Sequence, residues 1–112
     1  MKRNNDNYLD YIFKIKESLT WSVDDAGRVT VNMENKGITN RLAQLLFKKP
    51  KVSQIELQGM GSFIFTKIDG KLSVYEIGKL LHEEYKEDAE PLYERLSVYM
   101  KKLEEIGFIE RV

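Results

Sequence analysis

The 112-residue chain has no cysteine, which excludes disulfides, thiolate zinc sites, iron–sulfur clusters and a cysteine nucleophile. It has one histidine, His82, so a Ser-His-Asp triad or a histidine-based metal cage is hard to build. Charge of one sign is not in excess. The 18 Lys and Arg balance the 18 Asp and Glu, which argues against a general nucleic-acid binder, because counterion release needs concentrated positive charge. Long apolar runs are also missing. Asp10 and Lys14 interrupt Tyr8 to Ile15, so no signal h-region or membrane span follows the basic start, and the cytoplasm is the expected location. These absences favour a binding module over an enzyme. No metal or cofactor is expected.

What is present is the mixture of a globular protein, 42% hydrophobic and 32% charged, and the length allows one domain. Residues 1–19 form an N-terminal arm. Tyr8, Ile12 and Ile15 can be a helical stripe, but the β-branched and aromatic content suits an extended arm better. The domain proper is expected over 20–112. Thr20 to Met33 reads as a hairpin. Trp21 and Val23 alternate with polar residues, Asp24-Asp25-Ala26-Gly27 turns the chain, and Val29, Val31 and Met33 alternate back. Ile38 to Phe47 has helical spacing and stops at Lys48-Lys49-Pro50. Ser53 to Leu57 alternates at period two, a third strand with Ile55 and Leu57 inward.

Three helices follow. Met60, Phe63, Ile64 and Ile68 mark the first, closed by Asp69-Gly70. Ser73 and Glu76 make a capping box before Val74, Ile77, Leu80, Leu81 and Tyr85. Glu87 to Pro91 opens the last helix, with Leu92, Leu96, Tyr99, Leu103 and Ile106 as its buried stripe, and Gly107 stops it before a short strand at 108–112. Gly59 and Gly61 read as a tight strand-to-helix entry rather than a phosphate loop. The expected class is α+β: a winged helix-turn-helix-like fold in which a small three-stranded antiparallel sheet packs on a three-helix bundle, with the 38–47 helix inserted before the third strand. The expected core includes Trp21, Val23, Val29, Val31, Ile55, Leu57, Phe63, Ile77, Leu81, Leu96, Leu103 and Ile106.

Two stretches carry a resemblance. One is Met60-Gly61-Ser62-Phe63-Ile64 followed by Ile68-Asp69-Gly70-Lys71-Leu72-Ser73-Val74-Tyr75-Glu76-Ile77. The other is Tyr93-Glu94-Arg95-Leu96 followed by Leu103-Glu104-Glu105-Ile106-Gly107-Phe108-Ile109. Together they resemble the coenzyme PQQ synthesis protein D (PqqD-like) family over residues 52–112, with 20–33 matching its N-terminal hairpin. The resemblance implies a non-catalytic recognition element that binds the leader of a ribosomally made precursor peptide and presents it to a modifying enzyme, often a radical SAM enzyme. It implies that the peptide adds as a strand to Ser53, Gln54, Ile55, Glu56 and Leu57 and lies beside the helix Pro91–Ile106. On that helix Tyr93, Leu96 and Met100 lie three or four apart and are expected to form the opposite wall. The inserted helix, its basic continuation and the long arm depart from the family pattern.

The other reading is a winged-helix interaction or regulatory protein, less readily a DNA binder, because Asp88, Glu90 and Glu94 at the start of the last helix would repel phosphates. The basic residues Lys36, Arg41, Lys48, Lys49 and Lys51 read foremost as a solvated helix end. A free sheet edge also permits a homodimer by strand pairing.

Overall fold

The turn Asp24-Asp25-Ala26-Gly27 sets the first sheet. The Asp24 carboxylate accepts the N–H groups of Ala26 and Arg28, both at 2.9 Å, and the Arg28 Nε at 3.0 Å. The Arg28 N–H leads in holding that carboxyl below the usual range. Gly27, at φ 84°, takes the left-handed conformation that other residues avoid. The computed structural model describes residues 8–32 and 54–112; the helix expected over 38–47, the basic stretch after it, Met33 and Ser53 lie outside them. Strands β1 (Phe13–Ile15), β2 (Thr20–Val23), β3 (Val29–Asn32), β4 (Gln54–Leu57) and β5 (Ile109–Arg111) form two antiparallel sheets. The order β2-β3-β4 pairs Trp21 with Val31 and Val31 with Ile55. Val29, Val31, Ile55 and Leu57 face the core, while Gln54 and Glu56 are exposed. Trp21 meets Phe65 edge-on at 5.0 Å. Val23 departs from the expected core. It ends the edge strand β2 beside the turn and stays 45% exposed.

Gly59, at φ 51°, bends the chain from β4 into α1 (Met60–Lys67). That helix buries Ile64, Phe65 and, against its polarity, Ser62. The Asp69 carboxylate then accepts the N–H groups of Leu72 and Lys71, which hold it below the usual range. Both bonds of the expected capping box exist: Glu76 N–H to Ser73 Oγ and Ser73 N–H to the Glu76 carboxylate. They start α2 (Val74–Tyr85), which buries Val74, Ile77, Gly78 and Leu81. The acidic stretch 87–90 does not open the last helix. Lys86–Ala89 form a 3-10 turn, and Pro91 precedes α3 (Leu92–Glu105). Gly107, at φ 88°, ends that helix region, with Phe108 N–H bonded to Leu103 O.

The arm is extended where it is described. After a 3-10 turn at Tyr8–Asp10, β1 pairs with β5, with Phe13 opposite Arg111 and Ile15 opposite Ile109. Its other edge accepts the Gly70 N–H at Phe13 O and the Val74 N–H at Tyr11 O. β1 therefore lies between β5 and the α1–α2 turn, and Phe13 is 1% exposed within the same core as the helices. The fold of the described residues is α+β, with small antiparallel sheets and three α-helices. Among the described residues, no helix is long and apolar enough to cross a membrane.

Candidate functional site

Strand β4 is the candidate edge. The Asp24 N–H bonds to Arg28 O across the hairpin. Hydrogen-bonding direction alternates along a strand, so the Val29 N–H points away from β2. It donates to Ser62 Oγ at 2.8 Å, and that hydroxyl donates to Leu57 O at 2.6 Å. The Ser62 side chain thus bridges the Val29–Leu57 pair at the end of the ladder. Leu57 and Ile55 therefore turn their backbone groups toward β3. Gln54 and Glu56 turn theirs to the opposite side, where no strand pairs with β4 among the described residues. The side chains separate differently. Ile55 and Leu57 are each 2% exposed, in the core beneath the edge. Glu56 faces out, with its carboxylate 3.6 Å from Arg28 Nε.

On α3 the expected wall lies on the buried face. Leu96 and Met100 are core residues, 1% and 0% exposed. Tyr93 turns to α2. Its ring stacks on Tyr75 with centroids 5.8 Å apart, and its edge lies so close to Gly78 that a Cβ there would collide. Burial raises the Tyr93 phenol above its ordinary value, with Tyr75 and Glu90 adding to the shift. Spacing of three and four correctly groups these residues on one face. That face packs against the core because α2 covers it.

The open face of α3 carries Arg95, Val98, Tyr99 and Lys102 instead. With Pro91 and Glu94 they line a hollow of about 360 Å³, and Val98 there is 53% exposed. The Tyr99 hydroxyl closes on Gly61, where a Cβ would come within 2.5 Å of it. This contact sets α3 against the start of α1, just beyond β4. Arg95 Nη1 donates to Asp88 O at 2.8 Å and to Glu90 O at 3.3 Å, which fixes its guanidinium across the start of the helix. Neither Arg95 nor Tyr99 stood out in the sequence as a site residue. Gly61 was the available signal, since a glycine inside the first turn of a helix often marks a close neighbour.

His82 is half-exposed, with Nδ1 3.6 Å from Glu90. Among the described residues no group of His, Asp or Glu is placed to hold a metal ion.

The sequence model of the family described as coenzyme PQQ synthesis protein D (PqqD) matches residues 36–109. That span contains β4, the described helices α1, α2 and α3, and the first residue of β5. No curated protein and no solved structure matches the chain.

Proposed function

The chain belongs to the coenzyme PQQ synthesis protein D (PqqD) family, and on that premise we propose that it is a non-catalytic, cytoplasmic accessory that binds a precursor leader peptide by strand addition. The peptide pairs with the outer side of β4 and is presented to a modifying enzyme of the radical SAM class. The hairpin and three helices are read as the winged-helix variant of that family. One observation carries the proposal: the backbone groups of Gln54 and Glu56 point away from β3, on the side of β4 that has no strand partner among the described residues. An added strand satisfies such groups, and main-chain hydrogen bonds supply affinity without demanding one sequence.

Of the residues read from the sequence, Ser53 to Leu57 remain the docking strand. The helix wall is assigned to Arg95, Val98, Tyr99 and Lys102, while Tyr93 and Met100 hold α3 in place from behind. The acidic residues Asp88, Glu90 and Glu94 near the start of α3 argue against phosphate contacts there.

The test is an NMR titration of the full chain with the leader segments of candidate precursor peptides. Amide shifts are expected at 54–57 and along 95–102. Glu56→Pro removes one outward N–H and leaves the bonds to β3 intact. It should weaken binding about tenfold or more, the worth of a lost hydrogen bond, with thermal unfolding nearly unchanged. Shifts confined to 36–51, or binding indifferent to Glu56→Pro, would sink strand addition.

A further inference from the structure

A second, narrower hollow of about 140 Å³ opens between the three helices. Ile64 of α1, Leu81 of α2, Ala89 of the 3-10 turn and Leu96 of α3 form its base, all buried. Met60 and Tyr99 stand at its rim, half-buried, and Arg95 closes one side. The volume is well below the roughly 300 Å³ at which small-molecule pockets begin. It matches the cavity of about 150 Å³ that admits one benzene ring when lined by aliphatic side chains. A space of that size and lining fits one bulky apolar side chain.

Position and charge narrow the occupant further. Met60 follows Leu57 by three residues, so the rim lies at most about 11 Å of extended chain from the end of β4. A strand that leaves the β4 edge reaches it within a few residues. Arg95 has one nitrogen anchored on the Asp88 and Glu90 carbonyls, which leaves the N–H groups of its other two nitrogens for a ligand beside the hollow. A guanidinium held in this way favours a carboxylate.

We propose that this hollow is an anchor pocket for the bound peptide, and that it takes a bulky apolar residue, aromatic by preference, next to an acidic one. The inference rests on the peptide-binding reading and adds a subsite away from the strand edge. Affinity then has two sources: sequence-tolerant backbone pairing along β4, and a selective side-chain anchor between the helices.

The probe is 3-phenylpropionate, a phenyl ring with one carboxylate, titrated into the methyl-labelled full chain. Methyl shifts are expected at Ile64, Leu81, Ala89 and Met60, saturating on the order of millimolar probe. The alcohol 3-phenylpropanol should bind roughly fivefold more weakly, and Arg95→Gln should erase that difference. Ala89→Leu fills the base and should abolish the shifts. Met60→Trp blocks the rim and serves the same purpose if the first variant fails to fold. Silent methyls, unchanged binding in a folded filling variant, or an acid preference that survives Arg95→Gln overturns the pocket. The leader peptide separates this inference from the reading beneath it. Shifts at 54–57 with a silent hollow overturn the anchor pocket alone, and shifts in the hollow with a silent β4 overturn strand addition alone.

Discussion

Ser62 shows how much one hydroxyl can settle. It is 4% exposed and accepts from a strand while donating to the neighbouring strand. Ser62→Ala would leave the Val29 N–H and the Leu57 carbonyl without that bridge. A cost of about 1–3 kcal/mol is expected in urea melts, more than an exposed helical serine could give. Tyrosines give a second residue-scale expectation. Burial raises the Tyr99 phenol far above its ordinary value. Burial also pushes Tyr8 up to about 12, with Glu104 adding to the shift, and its buried hydroxyl has no hydrogen-bond partner among the described residues. A folded pKa above the unfolded value of 10.0 means that the folded state keeps its proton longer. The resulting stability is complete below the unfolded value and is lost as pH rises through the folded one. Denaturant melts should therefore show stability falling from pH 10 toward 12, and Tyr99→Phe should make that fall shallower.

At the scale of elements, the arm strand β1 matters most. Phe13 is fully buried, and its strand is hydrogen-bonded along both edges. Phe13→Ala should cost about 3–5 kcal/mol, measured by thermal or urea unfolding, whereas an arm lying loosely on the surface would lose almost nothing. The sequence showed such elements unevenly. Gly27, Gly70, Gly107 and the Ser73–Glu76 box were readable because turn and cap chemistry acts within a few residues. The alternation of Gln54 to Leu57 likewise revealed a strand with its inner and outer faces. Periodicity grouped Tyr93, Leu96 and Met100, but which side of α3 stays open depends on α2 and on Gly61, far away in sequence. Ser62 read as an ordinary polar helix position because its partners lie on other elements. The pairing of β1 with β5 had no local signal at all.

At the scale of the molecule, the neutral net charge conceals an uneven distribution. Glu83, Glu84, Glu87, Asp88 and Glu90 run from the end of α2 to just before α3, while Arg95 and Lys102 lie along the open face of α3 beside Glu94. The proposed peptide site therefore has a local charge distribution that the totals do not show. The β1–β5 pairing has a further consequence, in the timing of synthesis. Phe13 emerges from the ribosome about a hundred residues before its partner Arg111. At roughly 5–20 residues per second, the arm waits several seconds with a large aromatic side chain uncovered. Chains stalled with the tunnel exit just short of residue 109 should remain sensitive to protease across the arm, and protection should appear once 109–111 have emerged. If protection came earlier, the arm would be docking without β5. On this expectation β5 is the latch for the nascent protein, and until it arrives β1 stays uncovered.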